Sequence, residues 1–251
     1  MQEKAYKLLA MQEKISNNAA KDLIDKGCVF AMGKKVVIAR ALMSSKTRFV
    51  VQKIKKAKIL FEDDKIIALN KPYGEISENL EGVYNAKLIN RLDKETSGVL
   101  LLSKDEEFRL KCIQEYKKQN VYKSYLAIVD GVIAEELEIC EKITTIKNKS
   151  GAFSKIDKFF GLEAHTQVIP LMVNAKKTLI KAVIKTGRTH QIRVHLNHIK
   201  HGIIGDEKYA KNSSSRMYLH SYETHIFDYQ FKALLDESFN AYGFEIKNLN
   251  F

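Results

Sequence analysis

The chain has 251 residues, of which 45% are hydrophobic and 29% charged, with 12 Gly, 2 Pro and a formal net charge of +12. This composition excludes collagen-like, low-complexity and largely disordered proteins, and it predicts one or two globular domains with a substantial core. No apolar run approaches the roughly 20 residues of a membrane span, so we expect a soluble, cytoplasmic protein without a membrane partner. We also expect a monomer.

Positive charge is concentrated near the N-terminus. Residues 1–56 hold 13 Lys and Arg against 4 Asp and Glu, whereas the rest of the chain holds 29 against 26. A basic lobe of this kind is typical of a nucleic-acid partner, because neutralising phosphates releases counterions. The alternative is a lysine-rich surface that serves solubility alone.

The first segment predicts two helices followed by a small sheet. An apolar stripe in "AYKLLAMQEKI" indicates the first helix. Ser16 is a good N-cap for a second helix, which is expected to run to Lys26 and to close at Gly27. A hairpin is predicted around Gly33.

The Lys-rich stretch "KIKKAKIL" predicts a domain boundary near residue 56, giving domains 1–56 and 57–251. Beyond it, short β-type runs ("KIIALN", "GVLLLSK", "YKSYLAIVDG", "TQVIPLMV", "KTLIKAVIKTG") alternate with two helices. One helix spans 105–119; the other, "THQIRVHLNHIKHG", is expected to be capped by Thr189 and ended by Gly202. Many strands with few helices predict an α+β fold with a mixed, mainly antiparallel β-sheet and flanking helices.

Cysteine and histidine usage argues against a metal site. Cys28, Cys112 and Cys140 are widely spaced without a CxxC pair, so we expect reduced thiols that serve as small core residues. The segment "HQIRVHLNHIKH" holds four of the seven histidines, but its spacing lacks the HxxxH pattern and no acid or thiol intervenes. A basic, polar helix face near RNA or substrate is the favoured interpretation.

Arg193 shares one stripe of that helix with His190 and Asn197, beside the apolar face. These side chains are expected to point into a cleft that the helix borders. Arg193 is then a candidate partner for a buried carboxylate through a bidentate, charge-assisted pair. A solvated arginine that only tunes surface charge is the alternative.

Asp93 stands in "NRLDKETSGVLLLSKD", between an Arg-Leu pair and a turn that leads into an apolar strand. The carboxylate either caps the turn or acts as a nucleophile kept ionised by a nearby arginine, and spacing does not separate these roles. Tyr122 and Tyr125 lie on a later strand whose apolar and polar residues alternate, and a tyrosine in such a strand is more often half-buried than catalytic.

Several segments together resemble the RluA-type pseudouridine synthases. "LNKPYG", "NRLDKETSGVLLLSKD", "YKSYLAIVDG", "KTGRTHQIRVHLNHIKHGIIGDEKYA" and "RMYLHSYETHIF" occur in the order and at about the spacing of that family's signature segments. The resemblance covers roughly residues 57 to 230. It implies an isomerase that converts uridine in RNA to pseudouridine without cofactor or metal.

The resemblance also implies roles for individual residues. Asp93 matches the essential aspartate, Tyr125 the active-site tyrosine and Arg193 the basic residue that pairs with the aspartate. Arg91 matches the arginine that enters the base stack where the target nucleotide leaves it, since a uridine in structured RNA must be flipped out before it can react. Arg188 and His190 are assigned to RNA binding.

The N-terminal segment "ISNNAAKDLIDKGCVFAMGKKV" resembles a small RNA-binding domain first described in a ribosomal small-subunit protein. That family usually has basic residues at the start of the second helix, where this chain has Asn17 and Asn18. The remaining candidates for phosphate contacts are Lys14, Lys21, Lys34 and Lys35.

Two departures from the synthase pattern affect the expected substrate. Asn90 replaces a common histidine, and the segment from Glu75 to Ile89 is short, which predicts an altered RNA footprint. Large-subunit ribosomal RNA is the favoured substrate by analogy with members that carry this N-terminal domain, and transfer RNA is second. A non-catalytic RNA-binding or ribosome-assembly factor on the same scaffold is the alternative from another functional class.

Overall fold

The computed structural model describes residues 2–51, 56–148 and 151–246. The chain forms two compact units, Met1–Lys56 and Ala57–Phe251. The division falls in the Lys-rich stretch "KIKKAKIL", part of which lies outside the described residues. That the first unit binds RNA stays a prediction.

The described part of the first unit, residues 2–51 and 56, contains two helices and two small sheets. Its elements are β1 (Gln2–Lys4), α1 (Ala5–Glu13), α2 (Asn17–Asp25), β2 (Val29–Ala31), β3 (Lys34–Lys35), β4 (Leu42–Ser44) and β5 (Phe49–Val51). Strand β1 pairs with β4, and β2 lies between β3 and β5. Leu9, Ile24 and Phe49 belong to its apolar core.

The helix boundaries and the hairpin of this unit follow the sequence signals. The Ser16 hydroxyl accepts a hydrogen bond from Ala19 N at 3.1 Å, which confirms the N-cap of α2. Met32 and Gly33, with φ of 50° and 74°, form the two-residue turn between β2 and β3, because positive φ at both positions suits the twist of a tight hairpin.

The second unit is built on one large sheet. Its elements are β6 (Lys58–Glu62), β7 (Ile66–Lys71), α3 (Asn79–Tyr84), β8 (Lys87–Leu88), β9 (Ser97–Ser103), α4 (Glu106–Lys118), β10 (Tyr122–Asp130), β11 (Leu137–Ile139), β12 (Ile143–Asn148), β13 (Gly151–Ile156), β14 (Thr166–Asn174), β15 (Lys177–Ile184), α5 (Gln191–His198), β16 (Leu219–Ile226), β17 (Tyr229–Lys232) and a 3-10 helix (Glu237–Tyr242).

The ten-stranded sheet has the order β11-β14-β15-β10-β16-β9-β7-β6, with β17 beside β16 and β8 beside β9. The pairing of β9 with β16 is parallel, and the other pairings between its described strands are antiparallel. Alternating residues of β9 belong to different apolar clusters, Val99 to one and Leu100 to another, so β9 is buried on both faces. The sheet is the mixed, mainly antiparallel one that the sequence predicts.

The two predicted helices of this unit are present, but one begins and ends elsewhere. Helix α4 starts as expected, with the Asp105 carboxylate accepting from Phe108 N. Helix α5 starts at Gln191 with His190 as N-cap and ends at His198, so the predictions for Thr189 and Gly202 are wrong. The tight turn at 188–191, closed by a hydrogen bond from Gln191 N to Arg188 O, takes the place of a threonine cap.

Cys28 and Cys112 are buried, as predicted, whereas Cys140 is exposed and that prediction is wrong. Cys140 follows the short edge strand β11, where one side of the chain faces solvent. Among the described helices, none has the length and apolar character needed to cross a membrane.

Candidate active site

Asp93 lies in the turn that leads into β9. Leu92 is held just before it, because the Ser77 hydroxyl donates to Leu92 O at 2.9 Å and accepts from Leu92 N at 3.2 Å. The turn itself is closed by the backbone, with Thr96 N donating to Asp93 O at 3.0 Å. The Asp93 carboxylate accepts instead from Arg193 and keeps 27% of its side chain exposed.

Arg193 is a buried cation between two carboxylates. Its Nε and Nη2 each donate to Asp206 at 2.8 Å, and its Nη1 donates to Asp93 Oδ2 at 2.8 Å. Although burial by itself lowers the pKa of Arg193, the hydrogen bonds and charges of Asp206 and Asp93 raise it above the usual value. The guanidinium is therefore permanently charged.

The sequence predicted that Arg193 forms a bidentate pair with a buried carboxylate, but it did not identify Asp206 as that carboxylate. Asp206 is 1% exposed, and its Oδ1 also accepts from the backbone N–H groups of Lys208 and Tyr209. A carboxylate with this many donors is fixed in place. Asp206 thus anchors the guanidinium, which leaves Nη1 for Asp93.

His190 adopts a left-handed conformation, with φ of 56°, that brings its ring over the same carboxylate. The Tyr209 hydroxyl accepts from Ser154 N at 2.8 Å and lies 2.6 Å from His190 Nδ1, so we assign the phenol as donor to Nδ1. The Nε2 proton then points towards Asp93 Oδ2, 3.7 Å away. Burial outweighs the attraction of Asp93 and lowers the pKa of His190, so the ring is neutral near pH 7.

Tyr125 stands on β10 and packs against two apolar clusters of the second unit. Burial raises the pKa of Tyr125 to about 12, opposed by a hydrogen bond with Ser221 and reinforced by the charge of Asp93. The phenol therefore keeps its proton at neutral pH. It offers an aromatic face and a hydrogen-bond donor near the carboxylate.

These side chains line one open cleft of about 780 Å³. Its lining includes Asp93, Tyr125, His190 and Arg193. Among the described residues that line it, seven are basic and two are acidic; the basic residues are Arg91, Lys94, Lys117, Lys123, Lys147, Arg188 and Arg193. A basic cleft of this size can hold part of a polyanion. One monomer of that polymer would then lie next to the Asp93 carboxylate in the cleft wall.

Comparison with known proteins identifies the family of this chain. Residues 49–198 match the sequence profile of the RNA pseudouridylate synthase family. The chain belongs to this family. It is an RNA pseudouridine synthase, an isomerase whose substrate is RNA, as the resemblance in the sequence implied.

Similar proteins cover most of the synthase. One from Helicobacter pylori strain J99, described as an uncharacterized RNA pseudouridine synthase, is 50% identical and covers 94% of this chain and 99% of its own. A tRNA pseudouridine synthase C of Haemophilus ducreyi is 32% identical over 74% of this chain and 95% of its own. A ribosomal large subunit pseudouridine synthase D of Borreliella burgdorferi is 32% identical over 67% of this chain and 60% of its own.

The fold also has a solved counterpart. The structure of human RNA pseudouridylate synthase domain containing 1 superposes with a TM-score of 0.62 at 21% identity, covering 74% of this chain and 86% of its own. At this identity the likeness concerns the fold, and it agrees with the mixed, mainly antiparallel sheet described above.

Two further predicted residues of the second unit, Arg91 and Arg188, also line the cleft. Arg91 is 72% exposed, with Nη1 3.4 Å from Glu78 Oε1. Arg188 donates from Nε to Glu163 O at 2.9 Å. Asn197 is exposed and lies outside the cleft lining, so the prediction that it points into the cleft is wrong.

The four predicted lysines of the first unit lie on different elements. Lys14 is the left-handed C-cap of α1, and the Lys21 ammonium lies 4.6 Å from the centre of the Tyr6 ring. Lys34 and Lys35 form β3. Lys14 and Lys34 are exposed, whereas Lys21 and Lys35 are half-buried.

Sequence reasoning missed a buried lysine beneath the Asp93 turn. Lys71 is 0% exposed, and its ammonium donates to the backbone carbonyls of Pro72, Glu75 and Lys94 at 3.1, 2.7 and 3.3 Å. Burial lowers the pKa of Lys71 to about 7. The motif "LNKPYG" contained the signal, since a lysine inside an apolar strand run must find acceptors.

His195 of α5 has a protein partner at each ring nitrogen. His195 is buried, and its ring nitrogens lie 2.9 Å from Thr166 Oγ1 and Glu141 O. Across residues 2–51, 56–148 and 151–246, one group of three possible metal ligands has its ligand atoms within 4.8 Å of one another: Glu138, Cys140 and His165. None of these three lines the cleft.

Proposed function

We propose that this synthase modifies large-subunit ribosomal RNA and that Asp93 is its nucleophile. The observation that carries the proposal is the Asp93 carboxylate, partly exposed in the wall of a basic cleft and held at 2.8 Å by an arginine that a second carboxylate anchors. An ionised, oriented carboxylate is what nucleophilic catalysis needs.

The reaction conserves all atoms of the uridine. The bond between N1 of the base and the anomeric carbon breaks, the base turns, and a bond forms between C5 and the same carbon, while a proton leaves C5 and one is gained at N1. Asp93 attacks either the anomeric carbon or the base. Arg193 holds the carboxylate in place through its 2.8 Å hydrogen bond.

Tyr125 and Arg91 serve the flipped nucleotide. A uridine inside structured RNA reaches Asp93 only when it leaves the base stack, at a cost of a few kcal/mol. Arg91, exposed at the rim, is long enough to enter the gap. The face of the Tyr125 ring that lines the cleft supports the uracil, and its protonated hydroxyl helps to move the C5 proton.

The substrate class rests on the basic first unit and on the similar proteins. With 13 Lys and Arg against 4 Asp and Glu, residues 1–56 suit a large RNA with many phosphates. The Borreliella burgdorferi relative is named for the ribosomal large subunit. The Haemophilus ducreyi relative is named for tRNA, so transfer RNA is the second candidate.

The test is release of tritium from C5 of uracil in unmodified ribosomal RNA and, separately, transfer RNA. Wild type, Asp93→Asn and a matched control, Asp130→Asn at the exposed end of β10, are compared. We expect wild type and Asp130→Asn to release tritium from ribosomal RNA and Asp93→Asn to bind without release. Release by Asp93→Asn at the wild-type rate contradicts the nucleophile, and release from transfer RNA alone contradicts the substrate class.

A ribosome-assembly factor that has lost catalysis is the remaining alternative. It predicts binding without release for all three proteins. The anchored Asp93–Arg193–Asp206 arrangement argues against it, because a pure binder has no use for a negative charge in the wall of an RNA-binding cleft.

A further inference from the structure

Lys123 is a buried cation without an acidic partner among the residues that the structure describes. It stands on β10 two residues before Tyr125 and is 6% exposed. Within the described part of the chain, its ammonium donates to Lys185 O at 3.2 Å and lies 5.5 Å from the centre of the Tyr116 ring. Burial lowers the pKa of Lys123 to about 8. A buried ammonium is costly unless it is fully paired, so this arrangement needs an explanation.

The hydroxyl of Tyr116, whose ring lies beside Lys123, also lacks a hydrogen-bond acceptor among the described residues. The residue lies in the last turns of α4, and its hydroxyl is buried with no hydrogen-bond partner among the described residues. Burial raises the pKa of Tyr116 well above its usual value, so the hydroxyl keeps its proton. Buried donors in native proteins almost always have an acceptor.

Other buried cations of the same unit are satisfied by the protein. Arg193 has Asp206, Arg216 lies 3.1 Å from Asp236, and Lys71 has three backbone carbonyls. Lys123 and Tyr116 also line the cleft, but the Lys123 ammonium has a single backbone carbonyl and the Tyr116 hydroxyl has no partner among the described residues. The acceptor they lack can therefore come from the molecule that the cleft binds.

We propose that Lys123 and Tyr116 form a subsite that binds an oxygen acceptor of the flipped uridine nucleotide, either a phosphate oxygen or a uracil carbonyl. Side chains two apart on a strand share a face, which places Lys123 beside Tyr125 along the same wall. A nucleotide supported by Tyr125 brings its oxygens to this wall. The inference deepens the proposed function and rests on it.

The subsite has a signature that a purely structural lysine lacks. Lys123→Met replaces an incompletely paired buried charge with an apolar chain of similar length, so we expect a higher Tm. The same change should lower the single-turnover rate of tritium release by about ten-fold to a hundred-fold, the loss of one hydrogen bond to a charged donor. Lys123→Arg should recover part of the rate. Lys111→Met, an exposed lysine of α4 paired with Glu107 outside the cleft lining, is the matched control and should behave as wild type.

The salt dependence of RNA affinity distinguishes the two acceptors. A phosphate contact predicts that Lys123→Met lowers the slope of log affinity against log salt by about 0.7 to 0.9, whereas a uracil carbonyl leaves the slope unchanged and lowers only the rate. A wild-type rate and slope in Lys123→Met overturn the subsite. So does a lower Tm with an equal rate loss in Lys123→Met and Lys123→Arg, which is the result of a structural role.

A failure of the proposed function gives a different result from a failure of the subsite. If wild type releases no tritium from any RNA, the reaction assigned to Asp93 fails, and the slope for Lys123→Met alone decides whether the subsite binds RNA. A reduced slope then supports a phosphate contact at Lys123. An unchanged slope together with an unchanged RNA affinity overturns the subsite.

Discussion

Asp206→Asn tests whether the buried carboxylate holds Arg193 in place. The change keeps the shape of the side chain and removes the charge that receives two 2.8 Å bonds from Arg193. Removing one partner of a buried ion pair costs about 3 to 5 kcal/mol. Because Arg193 keeps its bond to Asp93, we expect the lower end, about 3 kcal/mol, which corresponds to a Tm decrease of about 6 to 12 °C for a domain of this size.

The same variant should lose activity for a geometric reason. Without its anchor, the guanidinium is free to turn towards Asp93 and to shift the carboxylate, and small misplacements of a reacting group cost about ten-fold or more in rate. Urea unfolding and single-turnover tritium release measure the two effects, with Asp130→Asn as control. A free energy of unfolding and a rate both equal to those of wild type would refute the anchoring role.

Three further predictions concern the fold, its charges and the first unit. Because burial lowers the pKa of Lys71 from 10.5 to about 7, the unfolded chain binds more protons than the native one between these values, and stability should rise with pH in that window. Lys71→Met should remove part of that slope in urea unfolding at several pH values, and an unchanged slope would contradict the shift. Gly98→Ala should prevent folding or destabilise by more than about 3 kcal/mol, since its Cβ would lie 2.0 Å from Ser221 O, whereas Gly82→Ala meets no atom within 4 Å and should be tolerated in the same thermal unfolding assay. Deleting residues 1–56 should weaken RNA binding and flatten its salt dependence while the second unit stays folded by circular dichroism; an equal salt slope would count against an RNA-binding role.

The sequence alone determined the elements whose signals are local. Apolar runs bounded by polar residues predicted β7, β9, β10, β14 and β15, and the N-cap at Ser16 was visible because a cap depends on residues three apart. It missed α3 and the β12–β13 hairpin, whose residues are largely polar and carry no clear period. The linked motifs also indicated the family, because they recur in a fixed order.

The tertiary structure decided which side chains share the site. Asp93 and Arg193 are 100 residues apart, and spacing left open whether the aspartate caps a turn or meets a cation. The backbone closes the turn, so the carboxylate is available to the arginine. Likewise the unusual φ of His190 depends on Gln191, whose side chain holds Thr186 and Arg188 in the preceding loop.

The partners that matter most for chemistry were the least predictable. A pattern shows that Arg193 needs a carboxylate, but Asp206 meets it only because the loop after α5 folds back onto that helix. Lys123 and Tyr116 look like an ordinary strand residue and an ordinary helix residue in the sequence. In the structure Lys123 is buried with one backbone acceptor, and the buried Tyr116 hydroxyl has no acceptor among the described residues. Local periodicity determines where chains turn and which faces are apolar, whereas charge pairing and desolvation depend on distances between residues far apart in sequence, which the packed structure alone defines.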